Sequence, residues 1–336
     1  MNTFGEHFSF TSFGESHGRA IGGVLDGVPA GIQIDMKLIR QELDRRAGRT
    51  LIDKDNDSTL KKSKDNGISP RAMREADEVE WLSGVIDGIT LGTPIAFIIR
   101  NRDARSEDYD WLKNTYRIGH ADRTYQKKYG IRDHRGGGRA SARETASRVV
   151  AGALARQLLN AKGITIHAEV VQVGAETNPE KWDTYIAEVR ANGDSIGGIV
   201  RCNITGVPVG IGEPIFDKLQ SHLAFAMMSI NGCKGFDYGS GFEHIEKTGS
   251  EMYLTDNQQL ISGGIAGGIS DGTPITFRCV FKPTASNRKT LEAIHEGEEG
   301  LKVGRHDACI ALRAVPVVEA MAALTIIDWI ENDQQT

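Results

Sequence analysis

Three short loops of this chain place a histidine or an arginine among glycines. We name them the His17 loop (14–18, Gly-Glu-Ser-His-Gly), the His120 loop (117–122, Arg-Ile-Gly-His-Ala-Asp) and the arginine loop (135–141, Arg-Gly-Gly-Gly-Arg-Ala-Ser). A fourth loop at 304–307, Gly-Arg-His-Asp, repeats the pattern. Glycine lets the backbone approach a ligand closely, and arginine binds phosphate through paired hydrogen bonds. The four loops together predict one site that binds phosphate and transfers protons.

His17 and His120 are the candidate proton donors of this site. An imidazole with an ordinary pKa of about 6.5 changes charge near neutral pH, and a nearby anion raises that pKa. A lone histidine in a loop is more often an ordinary surface residue, and this interpretation stays open for each ring. A second histidine in a similar loop favours the catalytic interpretation.

The arginine loop leads into a predicted helix at 141–161. Unpaired amides and the helix dipole favour a phosphate at a helix N-terminus. Arg139 and Arg143 would add bidentate hydrogen bonds to that phosphate. The alternative interpretation is a solvated loop followed by a capping serine.

The composition excludes several classes of protein. The 336 residues carry a net charge of −5, which disfavours a general nucleic-acid binder. No segment approaches the roughly 20 apolar residues of a membrane span, and the N-terminus lacks a basic and apolar signal sequence. The four cysteines form no Cys-x-x-Cys pair, so we expect reduced thiols and no metal. We therefore expect a cytoplasmic protein that binds neither membrane nor nucleic acid.

The sequence also repeats itself. Gly-Val-Pro-Ala-Gly-Ile at 27–32 returns 179 residues later as Gly-Val-Pro-Val-Gly-Ile, and the segment at 88–97 returns 180 residues later at 268–277. We interpret the chain as one domain (1–336) of two diverged repeats, about 1–165 and 166–336. Strands and helices alternate in each repeat, which predicts an α+β fold with sheets packed around helices and pseudo-two-fold symmetry.

Residue patterns also predict individual helices and strands. Apolar spacing predicts helices at 35–46 and 214–230 and a last helix at 317–330. This last helix begins after Pro316, a residue suited to a helix start. Strands are predicted at 93–99 and 273–280.

The segment 53–69 is rich in Lys, Asp, Asn and Ser, which predicts a polar surface loop. The alternative is a lid that covers an anionic ligand with its lysines, Lys61, Lys62 and Lys64.

The residue types also describe the ligand. Several arginines imply multiple negative charges, two histidines imply protonation of a leaving group or a cofactor, and glycine-lined walls suit a flat ring. The lysine segment (282–286, Lys-Pro-Thr-Ala-Ser) adds a cation, amides and hydroxyls. Flavin mononucleotide (FMN) beside a phosphorylated carboxylic acid would satisfy these requirements.

Nearly the whole chain resembles the chorismate synthases. The shared motifs lie at 13–18, 119–122, 129–133, 135–144, 228–231, 282–284, 304–307 and 313–316. The resemblance implies a lyase that converts 5-enolpyruvylshikimate 3-phosphate to chorismate and phosphate, the last common step of the shikimate pathway to the aromatic amino acids. It implies a 1,4-anti elimination that needs reduced FMN without net redox change. It also implies a homotetramer, and some members reduce the flavin with NADPH.

The resemblance implies a role for particular residues. His17 matches the acid near the departing phosphate, His120 the proton donor to the flavin ring, and Asp307 a group that assists proton transfer at the flavin N5. Arg46 matches an arginine on the substrate or NADPH side, and Arg49 is a candidate for the next family arginine, whose usual Pro-Gly-x-Ser-Arg context is absent here. The implied flavin contacts are Arg139, Ala140, Ser141, Asn231, Gly232, Gly267, Lys282, Pro283, Thr284, Ala285, Ser286 and Arg305.

Two alternatives belong to other classes of protein. A flavin- or phosphate-binding protein without lyase activity, such as a flavin reductase or carrier, would need neither His17 nor Asp307. An RNA-binding scaffold would bind with strong salt dependence, and the acidic net charge disfavours it.

Overall fold

The computed structural model describes residues 1–49, 76–103, 106–254, 261–294 and 307–333. The predicted polar loop at 53–69, with Lys61, Lys62 and Lys64, lies outside these residues. The first three positions of the 304–307 loop, which include Arg305, also lie outside them.

The chain alternates strands and helices along its length. The strands are β1 (Thr3–Phe4), β2 (Ser9–Phe13), β3 (Ala20–Asp26), β4 (Val79–Trp81), β5 (Val85–Ile86), β6 (Ile89–Thr90), β7 (Ile95–Arg100), β8 (Thr165–Val173), β9 (Gly198–Thr205), β10 (Cys233–Tyr238), β11 (Ile265–Ala266), β12 (Ile269–Ser270) and β13 (Ile275–Phe281). The helices are α1 (Met36–Ala47), α2 (Asp122–Tyr129), α3 (Thr145–Ala161), α4 (Pro179–Ala191), α5 (Leu219–Met228), α6 (Gly249–Tyr253), α7 (Arg288–Ile294) and α8 (Ala311–Asp333).

Two antiparallel sheets share one strand order. The first runs β1-β2-β3-β7-β4 and the second runs β10-β13-β9-β8, so that β2, β3, β7 and β4 correspond to β8, β9, β13 and β10. A two-stranded hairpin, β5-β6 or β11-β12, lies in each half between the edge strand and the next strand of the chain. The loops that follow β2, β7 and β13 carry the chemistry described below.

The sheets pack against a layer of helices, as the α+β prediction requires. Helices α3 and α8 bury apolar residues along most of their lengths and pack against each other, and α8 also packs against β8 and β9. A Cβ atom on Gly152 of α3 would lie 2.3 Å from the Cα of Ala320 of α8, so only glycine permits this close approach. No helix within the described residues combines the length and apolar character needed to cross a bilayer.

The first predicted helix is confirmed, while three others begin elsewhere. Asp35 caps α1 by accepting a hydrogen bond from the Leu38 amide at 2.9 Å, and Gly48 ends it at a φ of +77°. The prediction for 214–230 was too long, since α5 begins only at Leu219. The prediction for 141–161 also began too early, since two 3-10 turns precede α3 at Thr145.

The last helix was predicted to start after a proline, and that prediction was wrong. Helix α8 starts at Ala311 and runs through Pro316. A proline inside a helix removes one backbone hydrogen bond, but the apolar side chains around it, including Val317 and Val318, are buried in the core. Tertiary packing therefore outweighs the local cost.

Candidate functional site

The His120 loop connects two parts of the site. Arg117 donates from Nη2 to the Gly136 carbonyl at 2.9 Å, and its Nε binds the Asp122 carboxylate at 2.9 Å. On the other side of the loop, His120 Nε2 is hydrogen-bonded to Ser286 Oγ. The His120 loop therefore holds the arginine loop against the lysine segment.

Asp122 and Arg117 form a charged pair inside this loop. Burial by itself would raise the pKa of Asp122, but hydrogen bonds from Arg117 hold it below its ordinary value. The carboxylate is therefore ionised at neutral pH and fixes the arginine that reaches the arginine loop.

His17 lies buried beneath the arginine loop. Its Nδ1 is 3.2 Å from Ser16 Oγ, and its ring meets the Tyr109 ring edge-on at a centroid distance of 4.8 Å. A Cβ atom on Gly136 would lie 2.4 Å from His17 Nδ1, and Gly136 has a φ of +70°. Glycine at this position is thus what lets the loop close over the imidazole.

Arg139 ties the arginine loop to the end of β2. Its Nη2 donates to Ser12 Oγ at 2.6 Å and its Nη1 to the Gly14 carbonyl at 3.3 Å. Ala140 ends the first 3-10 turn, and Ser141 caps the second by accepting from the Arg143 amide at 3.3 Å. The guanidinium of Arg139 therefore fixes the His17 loop as well as facing the site.

The lysine segment meets three other parts of the site. The Lys282 amide donates to the Gly232 carbonyl at 3.0 Å, and Lys282 Nζ donates to the Gly119 carbonyl at 2.8 Å. Burial, together with the nearby cation of Lys234, lowers the pKa of Lys282. Within the described residues, the buried Oδ1 of Asn231 has no hydrogen-bond partner.

Asp307 lies beside the lysine segment. Its backbone carbonyl accepts from Thr284 Oγ1 at 2.9 Å, and its carboxylate pairs with Arg313. Arg313 in turn donates from Nε to the Arg46 carbonyl at 2.8 Å. Asp307 is thus joined to the lysine segment and to the C-terminal end of α1.

Arg46 and Arg49 differ in their surroundings. Arg46 is buried and donates to Thr145 Oγ1 at 2.9 Å and to the Ala142 carbonyl at 2.7 Å. Burial lowers its pKa to about 9, which leaves it cationic at neutral pH. Arg49 donates from Nε to Asp44 Oδ1 at 2.7 Å on the same helix end.

Asp77 is a member of the site that the sequence did not reveal. It is 2% exposed and pairs with Arg143 through Oδ1 and with Arg46 at 3.5 Å through Oδ2. Burial opposes its ionisation, but Arg143 and Arg46 together hold the pKa of Asp77 below its ordinary value. Asp77 is one of four acidic residues between positions 75 and 80, and no local sequence feature distinguishes it from the other three.

Asn101 completes a continuous path from Asp307 to His17. Its Oδ1 accepts from Arg143 Nε at 3.0 Å, and its Nδ2 donates to the carbonyls of Glu15 and Gly18 at 3.0 and 2.9 Å. The path runs from Asp307 through Arg313, Arg46, Asp77, Arg143 and Asn101 to the backbone of the His17 loop. The structure therefore brings both histidines, Asp307 and the lysine segment into one contact network.

Comparison with known proteins gives this network its context. The family model described as chorismate synthase matches residues 8–330. The chain belongs to the chorismate synthase family. It is thus an enzyme of the chorismate synthase kind, a lyase of aromatic biosynthesis.

Curated chorismate synthases match the chain along its full length. The protein of Christiangramia forsetii is 46% identical over 98% of this chain and 97% of its own length. That of Bacteroides thetaiotaomicron is 47% identical over 100% and 99%, respectively. A solved chorismate synthase structure superposes with a TM-score of 0.71 at 28% identity, covering 98% of this chain and 93% of that one.

One residue matched to the chorismate synthase flavin contacts lies away from the others. Gly267 lies in the turn between β11 and β12, before the start of β13, whereas the lysine segment follows the end of β13. Seven residues of strand separate these ends by roughly 20 Å, at about 3.3 Å per residue. Gly267 therefore belongs to the hairpin that precedes β13, at the opposite end of that strand from the lysine segment.

The described residues contain no cluster of three or more histidine, cysteine or acidic side chains arranged to hold a metal ion.

Proposed function

We propose that this enzyme converts 5-enolpyruvylshikimate 3-phosphate to chorismate and phosphate by 1,4-anti elimination, with reduced FMN and no net redox change. The observation that carries the proposal is the convergence of His17, His120 and Asp307 on loops joined by one contact network. A flavin carrier without lyase activity would need neither His17 nor Asp307 in that network.

The residues around the lysine segment fit a flavin. The buried Asn231 Oδ1 can accept a hydrogen bond from a ring N–H, and Lys282 supplies a cation beside it. A Cβ atom on Gly138 would meet nothing within 4 Å, so the backbone there is open to a flat ring. When bound, reduced FMN supplies transient electron density that helps phosphate leave. The described residues that would hold it are Arg139, Ala140, Ser141, Asn231, Gly232, Lys282, Pro283, Thr284, Ala285 and Ser286.

We assign His17 the protonation of the departing phosphate. Burial against Tyr109 and the arginine loop excludes water around the ring, and Ser16 at Nδ1 fixes its orientation. A protonated phosphate oxygen makes a better leaving group, because less negative charge accumulates as the C–O bond breaks.

We assign His120 and Asp307 to the other proton movements. His120 Nε2 and Ser286 Oγ form a pair that can hold a proton at the flavin side of the site. Asp307 is kept beside Thr284 and pairs with Arg313. An ionised carboxylate there can accept a proton that leaves the substrate.

Arg46 is proposed to act on the substrate side through its charge. Its guanidinium is 4% exposed and bound to Thr145, Ala142 and Asp77, so it supplies positive potential and shapes the start of α3. Arg49 remains a candidate for the neighbouring family arginine, and its bond to Asp44 places it at the end of α1. NADPH as flavin reductant and a cytoplasmic location stay predictions.

The decisive assay measures phosphate release from 5-enolpyruvylshikimate 3-phosphate under anaerobic conditions. We expect phosphate and chorismate in equal amounts with reduced FMN and neither product with oxidised FMN. Flavin binding without phosphate release would contradict the proposal and favour a flavin carrier or reductase.

Replacement of Arg139 tests the flavin-binding role of the arginine loop. We expect Arg139→Ala to weaken FMN binding by about tenfold to a hundredfold, since hydrogen bonds to charged groups contribute roughly 1.5–3 kcal/mol. Fluorescence titration of FMN measures this change. Arg201→Ala, which removes an exposed arginine paired with Glu169, is the control and should leave affinity unchanged. Equal affinities in the two variants would exclude the role.

A homotetramer is the proposed assembly. Large apolar side chains such as Phe216, Phe242 and Ile245 are exposed on the single chain, which indicates surfaces that associate. In such an assembly, Gly267 of one copy could contact a flavin that is bound at the lysine segment of another copy. We expect light scattering after gel filtration to give four times the 36.6 kDa chain mass, and a monomeric mass would contradict this.

A further inference from the structure

We propose that Ser195 is a positioning residue that holds the lysine segment and the Asp307 backbone in register with each other. This inference rests on the proposed function, because those two segments carry the implied flavin contacts and a proton-transfer group. Ser195 itself contacts neither flavin nor substrate in this proposal.

The loop that carries Ser195 is the repeat counterpart of the His17 loop. Residues 193–197 read Gly-Asp-Ser-Ile-Gly and lie 179 residues after Gly-Glu-Ser-His-Gly, the same separation that relates 27–32 to 206–211. Each loop leads into the corresponding strand, β3 or β9. Ile196 replaces His17, so the second loop has lost the proton donor and kept the serine.

Ser195 is bound on both sides by the segment after β13. Its hydroxyl donates to the Thr284 carbonyl at 2.7 Å and accepts from Asn287 Nδ2 at 3.3 Å. The same Asn287 nitrogen lies 3.3 Å from the Thr284 carbonyl. These three residues form a closed triangle of hydrogen bonds, and Ser195 is only 8% exposed. The Thr284 carbonyl therefore has a fixed position.

The same loop also holds Asp307. The Ile196 amide donates to the Ala308 carbonyl at 2.8 Å, and Thr284 Oγ1 donates to the Asp307 carbonyl at 2.9 Å. The lysine segment and the Asp307–Ala308 segment are thus both bonded to this loop, the first at Ser195 and the second at Ile196. A shift of Thr284 would move Asp307 with it.

The far side of the loop is anchored too. Asp194 accepts the Ser195 amide at 2.9 Å and pairs with Lys289 Nζ at 3.3 Å, while the Lys289 amide donates to the Gly193 carbonyl at 3.2 Å. Asn287 Oδ1 accepts the Thr290 amide at 2.9 Å at the start of α7. These bonds hold the backbone on either side of Ser195 in place. When the Ser195 hydroxyl is removed, we therefore expect Thr284 to shift rather than the loop that carries Ser195.

Ser195→Ala removes this hydroxyl. We expect an FMN dissociation constant about tenfold higher and a turnover number about ten- to a hundredfold lower, since misplacement of a reacting group by about 1 Å costs up to roughly 10²-fold. The KM for the phosphorylated substrate should change by less than about threefold, because the proposed function places the substrate phosphate at His17 rather than at Thr284. Ser195→Thr keeps the hydroxyl and should restore both values.

Thr90→Val is the matched control. The Thr90 hydroxyl is also buried, donates to the Pro29 carbonyl at 2.6 Å and accepts the Ile32 amide at 3.0 Å, but it lies in the separate β5-β6 hairpin. This variant should lose similar stability and keep its flavin affinity and turnover. Equal functional losses in the two variants would overturn the positioning role.

Hydrogen exchange of the flavin-free protein tests the proposal independently of activity. Ser195→Ala should make amides in 282–290 and 307–312 exchange about fivefold or more faster, whereas Thr90→Val should not. Should Ser195→Ala fail to fold, Asn287→Ala removes the other donor to Thr284 and carries the same expectations. Parent-like exchange and affinity would overturn the role of Ser195, whereas a parent enzyme that binds no FMN would overturn only the proposed function.

Discussion

His17→Ala and His120→Ala should each reduce turnover of 5-enolpyruvylshikimate 3-phosphate by about 10²–10⁴-fold, the usual contribution of a positioned acid or base. The reason differs between the two rings. His17 lies buried against Ser16 and the arginine loop, so its loss removes the proton for the leaving phosphate. His120 is bonded to Ser286, so its loss removes the proton on the flavin side.

The two variants separate these roles when turnover and FMN affinity are measured together. We expect His17→Ala to bind FMN like the parent, and His120→Ala to bind it more weakly because the lysine segment loses a partner. His222→Ala is the control and should keep full activity. It removes an imidazole of α5 that is paired with Asp217. Turnover within threefold of the parent in both site variants would exclude the assigned roles.

Asp77→Asn should lower the free energy of unfolding by about 3–5 kcal/mol, the usual cost of removing one partner of a buried ion pair. Asp77 is the carboxylate shared by Arg46 and Arg143, and all three side chains are buried. Its loss would leave two guanidinium groups out of water without their shared counter-charge. Urea unfolding at a fixed protein concentration measures the change.

The pH dependence of this difference has a definite sign. Because the folded-state pKa of Asp77 is lowered, its contribution is complete above the unfolded-state value, about 3.8, and is lost as the pH falls through the folded-state value. The gap between parent and variant should thus be constant near pH 7 and shrink below about pH 4. Glu80→Gln, which breaks an exposed pair with Arg100, should cost less than about 1 kcal/mol. An equal cost in the two variants would contradict the buried-pair account.

The candidate residues of the loops could be selected from the sequence because the selection depends on local residue types. Glycines beside histidine and arginine predicted close backbone approach to a ligand, and this stays a prediction. The structure shows Gly136 packed against His17 instead. Helix α1 was predictable for the same reason, since Asp35 and Gly48 are capping residues next to an apolar stripe. The repeats gave matching segments, and the two sheets share one strand order.

The partners of the charged side chains were decided only by the tertiary structure. Arg139 bonds to Ser12 and Gly14, and Arg143 bonds to Asp77 and Asn101. The sequence indicated none of these partners, and the binding of phosphate by the two arginines stays a prediction. An arginine can reach many acceptors, and burial and long-range contacts choose among them. The sequence by itself thus determined which chemistry the loops can perform, while the packing of sheets and helices decided which loops meet and which residues hold them.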